Sequence, residues 1–405
     1  MILGAGAGQL PLIRRAKAAG REVIAVSPEG DYPGFAEADG RVYCDLSDKE
    51  KILSAAKDLS IDAIASDQTD LSVPAVQYVA ESLGLPHIEC EDIDRFRHKH
   101  VMRQVCLDCG IPTIPFCVTD NPEEGRKALS GYGKSAILKP DDSQGSRGVH
   151  KIDGSEGFES AFEDALKHSK SGKVIVEKFI EGHELEVDSV IHNGEMISAL
   201  VGDVYNFDVK DTFSSFERIY PASLDKGLYS QVVKYNEAVI KALGLSSGWT
   251  HGEYILTDDG KIFLLEIGAR GGGNFIGSDI VRIMMGMGTD EMSFRTAIGD
   301  ESFYGEVKYR DEHCAYKCFY LPEGRVKDID VSDELLARKC LVAHNLDHIH
   351  KGQEIFRNTD KTGRYTLVIK ADSRAALIKE MKDIENMIHI SVEDTEGNVR
   401  GIIWR

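Results

Sequence analysis

Residues 250–274 read THGEYILTDDGKIFLLEIGARGGGN, and this stretch decides the fold. Two apolar runs, 254–257 and 262–267, flank Asp258-Asp259-Gly260, and Asp-Gly between such runs is a strong hairpin signal. With Asp259-Gly260 as a two-residue loop, Asp258 pairs with Lys261, and counting outward sets Glu253 opposite Glu266. Directly opposed side chains lie about 4.5–5.5 Å apart at Cβ, where like charges destabilise unless something compensates. A hard cation compensates well. The period of two puts His251 on the face of Glu253, and Gly268 and Arg270 on the face of Glu266. A solvated hairpin surface is the alternative for a lone glutamate pair. Against it, Leu264, Leu265 and Ile267 make the second strand too apolar for a solvated edge, so a carboxylate within it needs a partner.

The chain of 405 residues is long enough for two to four domains, and its 42% apolar composition is ordinary for a protein with a real core. A net charge of −19 disfavours nucleic-acid and anionic-membrane partners, so an anionic substrate would need a local cluster of Lys and Arg. No apolar run approaches the roughly 20 residues of a membrane span. Gly4 to Gln9 interrupts any signal peptide, and a cytoplasmic location is the expectation. The eight cysteines lack paired zinc-type spacings. Cys106-Leu-Asp-Cys109 is read as ordinary helix thiols.

Residues 1–93 alternate strand and helix signals, as a doubly wound parallel sheet does. The Gly4, Gly6, Gly8 turn departs from G-x-G-x-x-G because Gln9 takes the last position, and Ser27-Pro28 stands where an acidic residue would end the second strand. A dinucleotide site is weakly signalled. The first strand is short, which leaves room for the chain to begin upstream of Met1. A helix spans 95–109, closed by Gly110 and Pro112; Lys99 and Arg103 share a face of it, which alone would be a solvated face. From Asn121 the pattern becomes a small α+β unit. Its strand 135–139 ends in Lys139, a lysine that needs an anion if buried, and the loop PDDSQGSRG (140–148) carries Ser143, Gly145, Ser146 and Gly148. Small residues there let backbone N–H groups approach phosphate. Aromatics in the polar stretch 203–222 are read as substrate contacts or loop anchors. After about residue 310, strands 315–321, 341–343, 366–371 and 388–393 with a helix 373–387 suggest a terminal α+β block.

In order and spacing, these pieces resemble the ATP-grasp superfamily: Lys99, Lys139 with its Gly/Ser loop, EKFIEGHE from Glu177 to Glu184, then Glu253 and Glu266 followed by GAR and GGG. EIGARGGGN is similar to the branch of L-amino-acid ligases and carbamoyl-phosphate-synthase-like enzymes. The resemblance implies a Rossmann-like N-terminal domain (1–93), an ATP-grasp domain (94–300) with a mobile lid at about 121–182, and a small C-terminal α+β domain (301–405).

It implies ATP as cofactor, with Lys99, Lys139, Ser143, Gly145, Ser146 and Gly148 at the phosphates, Glu177 on the adenine amino group, and backbone from Lys178 through Phe179 to Ile180 on the ring edge. Glu184 then takes the ribose, Glu253 and Glu266 hold Mg²⁺ or Mn²⁺, and Arg270 with Lys139 acts in catalysis. Relatives commonly carry Asn where Gly268 stands, which leaves the number of metal ions open. The implied reaction is activation of a small-molecule carboxylate as an acyl phosphate for attack by an amine, in a possible homodimer. Alternatives are a bicarbonate-activating biotin-carboxylase or carbamoyl-phosphate-type enzyme, a non-catalytic ATP-binding protein, and the dehydrogenase that the Gly4–Gly8 turn alone would invite.

Overall fold

The computed structural model describes residues 1–143, 147–208, 214–356 and 363–405. Near the N-terminus, strands Ile2–Leu3, Ile24–Ser27 and Gly40–Tyr43 form a parallel sheet in that order, and Ile2 also bridges Ala65 in parallel on its other side. Helices form between them where apolar residues recur at helical spacing. Leu12, Ile13 and Ala16 are the buried side of helix Leu10–Ala18. Asp48 accepts the Lys51 N–H and so caps helix Lys49–Asp58. The glycine turn does not open toward a ligand: a Cβ at Gly4 would strike the Gln9 side chain, whose amide donates to Asp67 O. The residue that breaks the dinucleotide motif fills its space.

A second unit is a four-stranded antiparallel sheet in the order Phe116–Thr119, Val174–Lys178, Ser135–Pro140, His150–Asp153. Helices Pro122–Gly131 and Phe158–His168 bring Leu129, Phe158, Phe162 and Ala165 to a core against Ala136, Leu138, Val174 and Val176.

The largest element is a nine-stranded sheet. Its path runs Ile262–Gly268, Leu245–Leu256, His183–His192, Glu195–Asn206, Ser215–Tyr220, His313–Phe319, Tyr365–Ala371, Leu341–His344, with Glu89–Cys90 paired to Leu245–Leu256. Strands from the terminal block are thus continuous with the hairpin sheet, because His313–Phe319 pairs with Ser215–Tyr220. A separate four-stranded sheet of Glu354–Ile355, Gly324–Val331, Ile388–Glu393 and Val399–Arg400 completes the chain. Strand Ile262–Gly268 lies last in the nine-stranded order, yet Leu264 and Ile267 are fully buried. They pack with Met102 and Cys106 of helix Lys99–Asp108 and with Val232, Val239 and Ile240 of helix Lys226–Leu243. Covering an edge strand in this way is one of the standard protections against edge pairing.

The hairpin differs from expectation in its turn. The Thr257 N–H donates to Lys261 O and the Gly260 N–H to Thr257 O, giving a three-residue loop with Gly260 left-handed at φ +79°. Next to it Leu256 pairs with Ile262 and Tyr254 with Leu264, but Glu253 pairs with Glu266. Leu265 is the extra residue of a β-bulge. The longer loop and the bulge offset each other, so the expected glutamate pair forms although the expected two-residue loop does not.

Candidate active site

Glu253 and Glu266 stand directly opposed, both half-buried, on the wall of a cleft of about 630 Å³ between the hairpin sheet and the four-stranded unit. That volume suits a ligand of nucleotide size. Glu186 pairs with Glu253 on the other side, so three carboxylates cross three adjacent strands. Buried charge demands counter-charge, and the structure supplies it. Arg218 ion-pairs with Glu186 and lies 3.7 Å from Glu253 Oε1, while Lys99 Nζ is 3.6 Å from Glu266 Oε1. Burial raises the Glu186 carboxyl above its ordinary range, and Arg218 and His251 oppose that shift.

Lys99, Lys139, Ser143, Glu177, Lys178, Phe179, Ile180, Glu184, Glu253 and Glu266 all line this one cleft. Lys99 is 4% exposed and donates to Ser143 O at 2.7 Å. Glu184 accepts a hydrogen bond from Asn206. Among the residues expected at the phosphates, three are not seen on the cleft. Gly145 and Ser146 lie outside the described residues, and Gly148 packs against Pro140 and His168 rather than on the cleft.

Glu177 corrects the expectation for its side chain. Its carboxylate is buried, with Lys139 Nζ 2.7 Å from Oε2 and Arg103 Nε 2.8 Å from Oε1. Burial would raise it, but Arg103 and Lys139 together hold it below the usual carboxylate range. For Lys139 burial wins and lowers its pKa, with Glu177 opposing. A carboxylate gripped by two cations is not left for an adenine amino group. The backbone beside it has acceptor capacity to spare. Lys178 N–H donates to Pro115 O, in register with the Phe116 to Glu177 pairing. Pro115 has no N–H to return the bond, so the Lys178 carbonyl keeps its acceptor capacity on that side.

Arg270 is half-buried against the N-terminal unit and does not line the cleft, in a bidentate pair with Asp70 at 2.9 Å for both contacts. Burial works against its charge; Asp70, then Glu266 and Glu253, more than restore it. The lack of a side chain at Gly268 has a steric reason. A Cβ at Gly268 would stand 2.4 Å from Asp70 Oδ1 and 3.1 Å from Arg270 Nε. The Asp70–Arg270 pair fills the place a side chain would take.

Residues 133–279 match the family model described as an ATP-grasp domain. The chain carries an ATP-grasp domain. The D-alanine–D-alanine ligase of Geobacter sulfurreducens is 27% identical over 47% of this chain and 61% of the ligase. The formate-dependent phosphoribosylglycinamide formyltransferase of Prochlorococcus marinus is 30% identical over 44% of this chain and 47% of that enzyme. The chain thus spans less than two thirds of the length of these curated relatives. Among solved structures, the L-amino acid ligase from Bacillus licheniformis superposes with a TM-score of 0.82, covering 97% of this chain and 98% of that one at 20% identity. The phosphoribosylglycinamide synthetase from Anaerococcus prevotii gives 0.76 over 97% and 98% at 21% identity. These likenesses establish the fold.

Sequence reading passed over several residues that build the site around the ATP-grasp domain. Glu186 and Asp188 continue the face of Glu184 at period two, and HELEVD carried that signal. Asp188 Oδ1 holds His251 Nδ1 at 2.9 Å. Arg103, read as solvated, is fully buried and also donates to Leu265 O. Asp70 is 200 positions from its partner Arg270, and nothing local announces it. All eight cysteines are free thiols, and no helix among the described residues is long and apolar enough to cross a membrane.

Proposed function

We propose that this protein is an ATP- and Mg²⁺-dependent (or Mn²⁺-dependent) cytoplasmic ligase that joins a small-molecule carboxylate to an amine with release of ADP. One observation carries the reading: two opposed glutamates, with Lys99 against one of them, on the wall of a nucleotide-sized cleft. On this reading residues 1–93 are a Rossmann-like domain, 94–300 the ATP-grasp domain with a mobile lid at about 121–182, and 301–405 a small appended domain, in a chain that can pair as a homodimer.

ATP enters with its adenine between Ile114, Ile137, Ile255 and Leu265, which line the cleft. Its amino group meets the Lys178 carbonyl, its ring edge the backbone at Ile180 beside Phe179, and its ribose Glu184. Lys99, Lys139 and the loop that Ser143 opens, with Gly145 and Ser146, receive the phosphates; Gly148 closes that loop away from the cleft, and Glu177 positions Lys139. The donor set of Glu253 and Glu266 fits a hard divalent cation, which takes oxygen ligands and would neutralise phosphate charge. The substrate carboxylate attacks the γ-phosphorus, releasing ADP and forming an acyl phosphate. The amine then attacks the acyl carbon and phosphate leaves. No enzyme nucleophile is needed, and positioning and electrostatics carry the rate, with Arg270 supplying positive charge beside the glutamate pair.

Phosphate release screened over pairs of amino and hydroxy acids tests this. Activity should require both a carboxylate and an amine. Absence of Mg-ATP binding by calorimetry refutes the reading, and binding without turnover for any pair refutes the ligase part of it.

A further inference from the structure

Outside the cleft, His98, His100 and Asp141 bring three ligand atoms within 4.8 Å of one another. His98 precedes helix Lys99–Asp108 in extended conformation, φ −107° and ψ 118°. Two residues apart in a regular helix, these imidazoles would point to different sides. The extended start turns both toward the same carboxylate. Asp141 is fully buried, and its two oxygens differ in task. Oδ1 accepts the His100 N–H at 2.9 Å, which fixes the carboxylate plane. Oδ2 faces His98 Nδ1 at 3.1 Å and His100 Nδ1 at 2.7 Å. Neighbouring ligand atoms around a tetrahedral ion with bonds of about 2.0–2.1 Å stand roughly 3.3 Å apart, so both separations reach that spacing with small shifts. Both imidazoles are about a third exposed, leaving a coordination position open to water.

We propose that His98, His100 and Asp141 form a second metal site, for Zn²⁺ or a similar borderline divalent ion. Two imidazoles and one carboxylate suit such ions and not Mg²⁺, which keeps oxygen ligands. The site is separate from the glutamate pair and does not depend on the ligase reading. If the cleft holds a nucleotide, the two sites are coupled. Lys99 lies between the two histidines, its N–H donates to Asp141 O, and its Nζ reaches Ser143 O. An ion held by residues 98, 100 and 141 therefore fastens the lysine and the loop entry that face the nucleotide cleft.

The test is a Co²⁺ titration of the untagged full chain, read by visible absorption in excess Mg²⁺ and without nucleotide, followed by Zn²⁺ competition. One Co²⁺ per chain should bind, and Zn²⁺ should displace it. His98→Gln and His100→Gln should each weaken binding more than about tenfold, since loss of even an outer partner costs 10–100-fold. Asp141→Asn, which keeps an acceptor for the His100 N–H, should do the same with an unchanged circular dichroism spectrum. Glu266→Gln should leave Co²⁺ binding intact. No Co²⁺ binding by the wild type, equal binding by the histidine variants, or displacement by Mg²⁺ overturns the site. Because nucleotide is absent, failure here is distinct from failure of the ligase reading.

Discussion

Replacing Glu177 by glutamine separates two accounts of the most buried part of the cleft. If the side chain served an adenine amino group, glutamine would keep an acceptor oxygen and the free protein would hardly notice. The structure predicts otherwise. Glu177 is 1% exposed and neutralises Arg103, at 0%, and Lys139, at 7%. Removing one member of a buried ion cluster leaves uncompensated charge and costs about 3–5 kcal/mol, and burial this deep leaves no solvent to screen it. Against a typical total of roughly 5–15 kcal/mol, that is a large share. Calorimetric melting of the ligand-free protein should show the transition that includes the four-stranded unit moving down by several degrees. The double variant Glu177→Gln, Lys139→Met removes one stranded cation together with the anion, and should recover part of the loss. Mg-ATP should stabilise the single variant more than the wild type, because phosphate supplies the missing anion. A loss below about 1 kcal/mol, the scale of an exposed pair, or additive effects in the double variant, would refute the reasoning.

Glu266→Gln should abolish ADP formation while leaving the fold intact, and full turnover in that variant, measured by coupled ADP assay, would remove the metal role from the pair. Gly268→Asn should push Asp70 from Arg270, costing about 1–3 kcal/mol as overpacking does; adding Asp70→Ala removes the clash but strands the Arg270 charge, so the double variant should not regain wild-type melting, and full recovery would show that the pair contributes nothing. Asp67 is fully buried, and burial first of all pushes its carboxyl up to about 6 from 3.8, with Thr289 and the Gly271 N–H opposing. Its folded pKa being raised, its stabilising contribution is complete below about pH 4 and is lost as pH rises through 6. At about 1.4 kcal/mol per unit, some 3 kcal/mol is at stake. Asp67→Asn should flatten the fall in urea midpoint between pH 4 and 6, and identical profiles for variant and wild type would contradict the assignment.

How legible the site was depended on how local each cause is. The opposed glutamates and the lysine-ended strand are written in periods of two and in turn residues, and local rules recover them. Arg103 looked like a solvated helix face because nothing within its own helix reveals that Glu177, 74 positions on, lies over it. Asp70 and Arg270 meet only after separate units have folded together. The strands Glu195–Asn206 and Ser215–Tyr220 were missed because their partners, not their composition, make them strands. Without them the terminal block read as detached, whereas its strands extend the same sheet. The hairpin loop was misread by one residue, and the pairing survived because Leu265 is extra on the other side of the count.

That extra residue constrains how the hairpin can vary. Deleting Leu265 would leave Glu266 opposite Glu253 in an uninterrupted ladder, so the carboxylate pair itself tolerates the loss. What would go is the backbone carbonyl that Arg103 holds, and with it the tie between the strand of Glu266 and the helix that carries Lys99. A single-residue gap at this point is therefore silent for the pair of glutamates and severe for their alignment with the cations opposite. Length variation in this strand reads as a change in coupling, not in chemistry.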